Sequence, residues 1–220
     1  MIRKETLDFL RKLKKNNNRD WFEKNKPHYL AAKEDVEKSL AAILKGIRAF
    51  DKRFTEDMEA KKFIFRIYRD VRFSKDKRPY KTNIGASINP GGKMMQVPGY
   101  YMHIEPGEAF LAGGMWMPEA PLLAKIRQEI DYNFNEFKKI VSDKTFKKYF
   151  KTLSTEDSLS TTPKGYAKDH PAIEFLRLKS FIVVADLPDK DVLSKNFTKK
   201  AAEICKAMKP LNDFLQRAID

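Results

Sequence analysis

The chain has 220 residues, 42% hydrophobic and 34% charged, and its 44 Lys and Arg against 30 Asp and Glu give a net charge of +14 and a pI near 9.6. Sixteen Phe, eight Tyr and two Trp can fill a core, and charge interleaved with apolar residues excludes long disordered tails. One cysteine, Cys205, excludes an internal disulfide and a cysteine-based zinc site.

Taken in chain order, the amino-terminal stretch lacks a signal peptide's apolar core, and no run approaches the roughly 20 apolar residues of a membrane helix. A soluble, cytoplasmic protein with no membrane association is expected. Leu7, Leu10 and Leu13 at three-residue spacing predict a helix over residues 4–15, with Thr6 as its cap and Asn16-Asn17-Asn18 as its end. A second helical segment starts near Asp20 or Pro27 and runs to Phe50, with Val36, Leu40, Ile43, Leu44 and Ile47 on one stripe. The period then changes. Strands are expected over residues 63–68, 83–89, 99–105 and 109–115, the last two joined by a hairpin turn at Pro106-Gly107 and a loop lying at Pro90-Gly91-Gly92-Lys93.

After Pro118, Leu122, Leu123, Ile126, Ile130, Phe134, Phe137 and Ile140 predict one long helix from Glu119 to about Val141, and Phe146, Tyr149 and Phe150 a short one after it. Residues 154–163 read as a surface connection, 171–177 as a helical turn and 180–186 as a buried strand. Residues 191–218 read as a helix that Pro210 kinks or splits. The sum is a single α+β domain over residues 1–220: a central, largely antiparallel sheet with helices packed from the N-terminal, middle and C-terminal segments.

The densest chemistry lies between Lys61 and Lys81, where nine Lys or Arg face two Asp, a local charge of +7 and half the chain's total. Arg66, Arg69, Arg72, Lys75 and Lys77, followed by Arg78 and Lys81, suit an anionic partner. Guanidinium groups bind phosphate or carboxylate through two parallel hydrogen bonds, and lysines add point charge. Tyr80 and Phe73 are candidates to stack on a ring. On a strand, neighbouring arginines point to opposite faces, so the cations do not all share one surface unless the chain turns near Asp70. Ion pairing of Asp70 and Asp76 with the nearby arginines is the competing structural explanation.

Four blocks in order, Asn17-Asn-Arg-Asp-Trp-Phe22, Arg69-Asp-Val-Arg-Phe-Ser-Lys-Asp-Lys-Arg-Pro-Tyr-Lys-Thr82, Gly99-Tyr-Tyr-Met-His-Ile-Glu-Pro106 and Pro163-Lys-Gly-Tyr-Ala-Lys-Asp-His-Pro171 with Leu176-Arg-Leu-Lys179, resemble the uncharacterised bacterial and fungal family called domain of unknown function 2461. The resemblance covers essentially the whole chain. It implies a domain-length unit of mixed α and β structure and brings no reaction with it.

The expected site is therefore a pocket for an anionic, phosphate-bearing ligand. Arg66, Arg69, Arg72, Lys75, Lys77, Tyr80 and Lys81 form one side, and Tyr101, His103, Asp169, Arg177 and Lys179 the other. In an enzymatic version, His170 or Asp70 is the acid or base. Asp169 is equally suited to cap a helix begun by Pro171. His103 shares a strand face with Tyr101 and Glu105 and is placed to line a pocket floor. No metal or cofactor is expected, because the carboxylates and histidines fall at no ligand spacing and the glycine pairs lack a phosphate-cradling context. Two other readings compete with the pocket: a nucleic-acid-binding module without catalysis, which predicts a broad basic surface, and a protein-interaction scaffold.

Overall fold

The structure, a computed structural model, describes residues 1–92 and 95–220, so Lys93 of the expected Pro90 loop lies outside the described residues. In chain order the elements are α1 (Lys4–Lys15), α2 (Arg19–Lys24), α3 (Lys26–Arg48), α4 (Ala60–Phe63), β1 (Ile84–Ile88), β2 (Gly99–Ile104), β3 (Phe110–Met115), α5 (Ala120–Tyr132), α6 (Phe134–Ser142), α7 (Lys144–Tyr149), α8 (Ile173–Leu176), β4 (Phe181–Asp186), α9 (Asp189–Val192) and α10 (Phe197–Ile219). The four strands form one antiparallel sheet in the order β1-β2-β3-β4, which makes the fold α+β as expected. The chain divides into two compact units: Met1–Ile88 with Tyr101–Leu111 and Asp186–Glu203, and Asn89–Tyr100 with Ala112–Ala185 and Ile204–Asp220.

In the first unit α1 packs on α3, burying Leu7, Leu10 and Leu13 of one helix and Val36, Leu40, Ile43 and Ile47 of the other. Thr6 is not the cap of α1: that position belongs to Arg3, which makes no side-chain cap bond. The Thr6 hydroxyl instead donates to the buried Asp35 carboxylate at 2.6 Å, and the Arg3 backbone N–H adds a second bond at 2.8 Å. A buried carboxylate needs such donors, so the start of α1 is tied to the middle of α3.

Asn18 caps α2 by accepting the Trp21 N–H at 2.9 Å. Its neighbour Asn17 acts at longer range, its amide donating to the Tyr80 carbonyl at 2.9 Å and its Oδ1 accepting the Tyr80 N–H at 3.1 Å. Phe22, fully buried, stacks on the Tyr80 ring at 3.9 Å between centroids and 16° between planes. The end of the basic block is thus held through both its backbone and its side chain.

Residues 63–68 are not the expected strand. Ile64 and Tyr68 sit in isolated bridges, to Ala86 and Tyr80, and Arg69 donates its N–H to Pro79 as the chain turns back on itself. Residues 69–80 form a closed loop in place of a fifth strand.

In the second unit the predicted long helix is two, α5 and α6, with Asn133 as C-cap of the first and N-cap of the second. Phe137 of α6 meets Phe175 edge-on at 5.0 Å and Phe214 at 5.1 Å. Gly114, at φ 116°, lets β3 approach β4: a Cβ there would overlap the Phe181 carbonyl oxygen. Pro210 does not split α10, which runs unbroken from Phe197 to Ile219. Cys205 is buried, and burial pushes its thiol up to about 12, far from a reactive thiolate.

Because Phe22 supplies the platform for Tyr80, Phe22→Ala is expected to cost roughly 3–5 kcal/mol in urea denaturation. A loss below about 1 kcal/mol would show that the stack does not anchor the loop.

Candidate functional site

Strand alternation places the first set of groups. Along β2, Met102 and Ile104 face the core, while Tyr101 and His103, with Glu105 just beyond, face the other way at period two. The three side chains are linked in series. The Tyr101 hydroxyl lies 3.0 Å from His103 Nδ1, and His103 Nε2 lies 3.1 Å from Glu105 Oε2. The other Glu105 oxygen accepts the Thr82 hydroxyl at 2.8 Å and the Lys14 ammonium at 3.3 Å.

Glu105 is only 6% exposed. Burial alone would raise its pKa, but hydrogen bonds from His103, Thr82 and Lys14 outweigh it and hold the carboxyl below its usual range. An ionised carboxylate only accepts, so in the neutral imidazole Nε2 carries the proton and donates it to Glu105. Nδ1 is then the acceptor for the Tyr101 O–H. Phe110 stacks on the imidazole at 4.6 Å and 11° and fixes the ring plane. Tyr101 itself is shifted upward by burial first and by the Glu105 charge second. Gly85 leaves room for the phenol: a Cβ there would sit 2.5 Å from the Tyr101 oxygen.

Tyr101 also belongs to an open depression of about 410 Å³, lined with Phe65, Arg69, Asp70, Lys81 and Asn83. Arg69 uses one guanidinium nitrogen, Nη1, to bind Asp76 at 2.7 Å and the Arg78 carbonyl at 3.1 Å. Its Nε and Nη2 have no partner among the described residues. The Lys81 ammonium lies over the Phe65 ring at 5.0 Å.

The rest of the basic block is organised by its two acids. Asp70 accepts Arg72 through the backbone N–H, Nε and Nη2 at 3.2, 3.0 and 2.7 Å, and Asp76 gathers Arg78 in the same way as well as Arg69. These bonds hold the Asp70 carboxyl down at about 2 and Asp76 lower still. Asp70 is therefore ionised at neutral pH and has no proton to give as an acid. Lys77 donates to the Val71 carbonyl at 3.0 Å, Tyr80 is buried against Phe22, and Arg66 and Lys75 are exposed. Phe73, 95% exposed, stands at the loop tip with the Arg72 guanidinium 5.8 Å from its ring centre.

His170, Asp169, Arg177 and Lys179 belong to the second unit. His170 accepts the Ala172 N–H at Nδ1, 3.1 Å, and donates from Nε2 to Asp131 at 2.9 Å, so both ring nitrogens are engaged within the fold. Asp169 is exposed and does not cap α8, whose N-cap is Ala172. Arg177 keeps a buried Nε without a partner among the described residues. Lys179 is half-buried and gives its backbone N–H to Asp157. Among the described residues no His, Cys, Asp and Glu group suits a metal ion, and no helix is long and apolar enough to cross a membrane.

Of the expected residues, Arg69, Asp70, Lys81 and Tyr101 meet at one depression, with His103 joined through Tyr101. The sequence pattern missed Lys14, Thr82, Asn83, Phe65 and Gly85, and the central place of Glu105. Only the period-two spacing of Tyr101, His103 and Glu105 carries a readable signal. Lys14 and Thr82 come from elements far apart in the chain.

A family model described as "Conserved hypothetical protein (DUF2461)" matches residues 5–214. No curated protein and no solved structure matches the chain.

Because the folded pKa of Glu105 is depressed, its stabilisation is present above the unfolded value near 4.5 and is lost as pH falls through the lower folded value. Glu105→Gln is expected to cost about 1–3 kcal/mol in denaturant titrations at neutral pH. The gap from the parent protein should close as the titrations are repeated below the unfolded value; a gap that persists in acid would contradict an ionised Glu105.

Proposed function

The chain belongs to the domain of unknown function 2461 family, and we propose that its first unit binds a small, phosphate-bearing anion in the depression between Arg69, Lys81, Asn83 and Tyr101. The observation that carries this reading is Arg69: tethered at Nη1, it has Nε and Nη2 without partners among the described residues, and these are the donors a phosphate takes as a pair. Lys81 adds a second cation, Asn83 an amide and Tyr101 a hydroxyl. Asp70 is the one acid among the described lining residues, and its charge is offset by three bonds from Arg72. The volume falls in the range of small-molecule sites. Arg66, Arg72, Lys75 and Lys77 contribute a positive field around the mouth and no direct contact in this reading.

A nucleic-acid interface is the second reading, and the exposed Phe73 beside Arg72 favours it, since an aromatic among cations is a stacking platform for a base. The two readings separate by substitution. Calorimetric titration with inorganic phosphate is expected to show binding that Arg69→Gln or Lys81→Gln weakens at least about tenfold, the loss of one charge-assisted bond. Phe73→Ala should leave it unchanged. Phosphate affinity indifferent to Arg69 and Lys81, together with single-stranded oligonucleotide binding lost in Phe73→Ala, would replace the pocket with a polymer surface.

A further inference from the structure

Resting on that pocket, we propose that Tyr101 is a nucleophile toward phosphate esters, with His103 as its general base and Glu105 as the group that orients the base.

The geometry has the three parts such a device needs. A hydroxyl is 3.0 Å from one ring nitrogen of a histidine, and the other ring nitrogen is 3.1 Å from a buried carboxylate. This is the connectivity of a nucleophile, base and orienting acid, on a phenol instead of a serine. The direction of each proton follows from the acceptor-only carboxylate, so Nδ1 faces the phenol with its lone pair. Three features hold that arrangement: Phe110 flat on the imidazole, Thr82 and Lys14 on the far carboxylate oxygen, and the missing side chain at Gly85. A phenol whose ionisation is opposed by burial is a weak nucleophile unless a base takes its proton, and Nδ1 is the acceptor in place.

The surroundings select the electrophile. An acyl carbonyl is neutral before attack, whereas a phosphate ester carries its charge on the reacting group, next to where Arg69 and Lys81 stand. In the first step the Tyr101 oxygen bonds to phosphorus, its proton passes to His103 Nδ1, and the bond from phosphorus to the ester oxygen breaks. The leaving alkoxide takes the proton from Nδ1. In the second step water attacks the phosphotyrosyl phosphorus, gives its proton to Nδ1, and the Tyr101 oxygen leaves and is reprotonated. The sum is hydrolysis of the ester by water, with the protein unchanged.

The test uses the full chain and a biotinylated fluorophosphonate, which forms the oxygen–phosphorus bond with loss of fluoride and needs no knowledge of the natural ester. Labelled peptides are quantified by mass spectrometry, with Tyr132, 74% exposed and outside the site, as internal reference. Tyr101 is expected to label at least about tenfold faster than Tyr132, and His103→Gln to remove most of that excess, in keeping with the 10²- to 10⁴-fold that a positioned base supplies. Glu105→Gln is the second variant should His103→Gln fail to fold, and is expected to lower the rate in the same direction. Tyr101 labelling no faster than Tyr132, or labelling unchanged in both variants, overturns the proposal even where phosphate binds. His103-dependent labelling of Tyr101 that inorganic phosphate does not slow supports the nucleophile and removes the phosphate pocket. Protection by phosphate in the parent protein and its loss in Arg69→Gln support both.

Discussion

The site depends on one buried charge. Glu105 is almost fully withdrawn from water, and an ionised carboxylate in that position is tolerated only when its lone pairs are met. Lys14 comes from α1, Thr82 from the segment before β1, and His103 from β2, so satisfying one carboxylate joins three separate stretches of the first unit. The same requirement fixes which imidazole nitrogen holds the proton, and through it the direction of the Tyr101 hydroxyl. A stability constraint and a chemical arrangement are here the same set of hydrogen bonds.

The basic block follows a different logic. Each of its two aspartates is wrapped by the arginine two residues later, which uses its backbone N–H, Nε and Nη2 together. These are exposed local pairs, and they shape the loop more than they stabilise the fold. Arg69 differs from them. It crosses the loop to Asp76, is mostly shielded, and spends one nitrogen doing so. A run of seven basic side chains therefore reduces to two, Arg69 and Lys81, that share a depression with the Tyr101 phenol.

Much of the fold is legible because periodicity is local. Leu7, Leu10 and Leu13 define α1, the stripe from Val36 to Ile47 defines α3, and the alternation in β2 puts Tyr101, His103 and Glu105 on one face. Residues 63–68 carry the composition of a strand, but the return of the chain at Pro79 withholds a continuous partner, and a partner is not encoded in a strand's own residues. Asn133 interrupts an apolar pattern that runs on through it, so one helix was expected where two exist. In the site, the Asp70–Arg72 and Asp76–Arg69 pairs are foreseeable from spacing. The Lys14 and Thr82 bonds to Glu105 are not, because they join residues 91 and 23 positions apart. The Asp169-His170 pair draws attention in the sequence by adjacency, yet His170 is bonded to Asp131, 39 positions away.

Glu105 dictates which nitrogen of His103 holds the proton and so aims the Tyr101 hydroxyl at Nδ1. Long-range nitrogen–proton correlation spectra of the histidine rings, recorded at alkaline pH, put this arrangement to the test. His103 is expected to hold its proton on Nε2 in slow exchange with water, unlike the exposed His28, and its bare Nδ1 to shift in Tyr101→Phe. A proton on Nδ1, or a His103 ring exchanging as freely as His28 and blind to the loss of the Tyr101 hydroxyl, would contradict it.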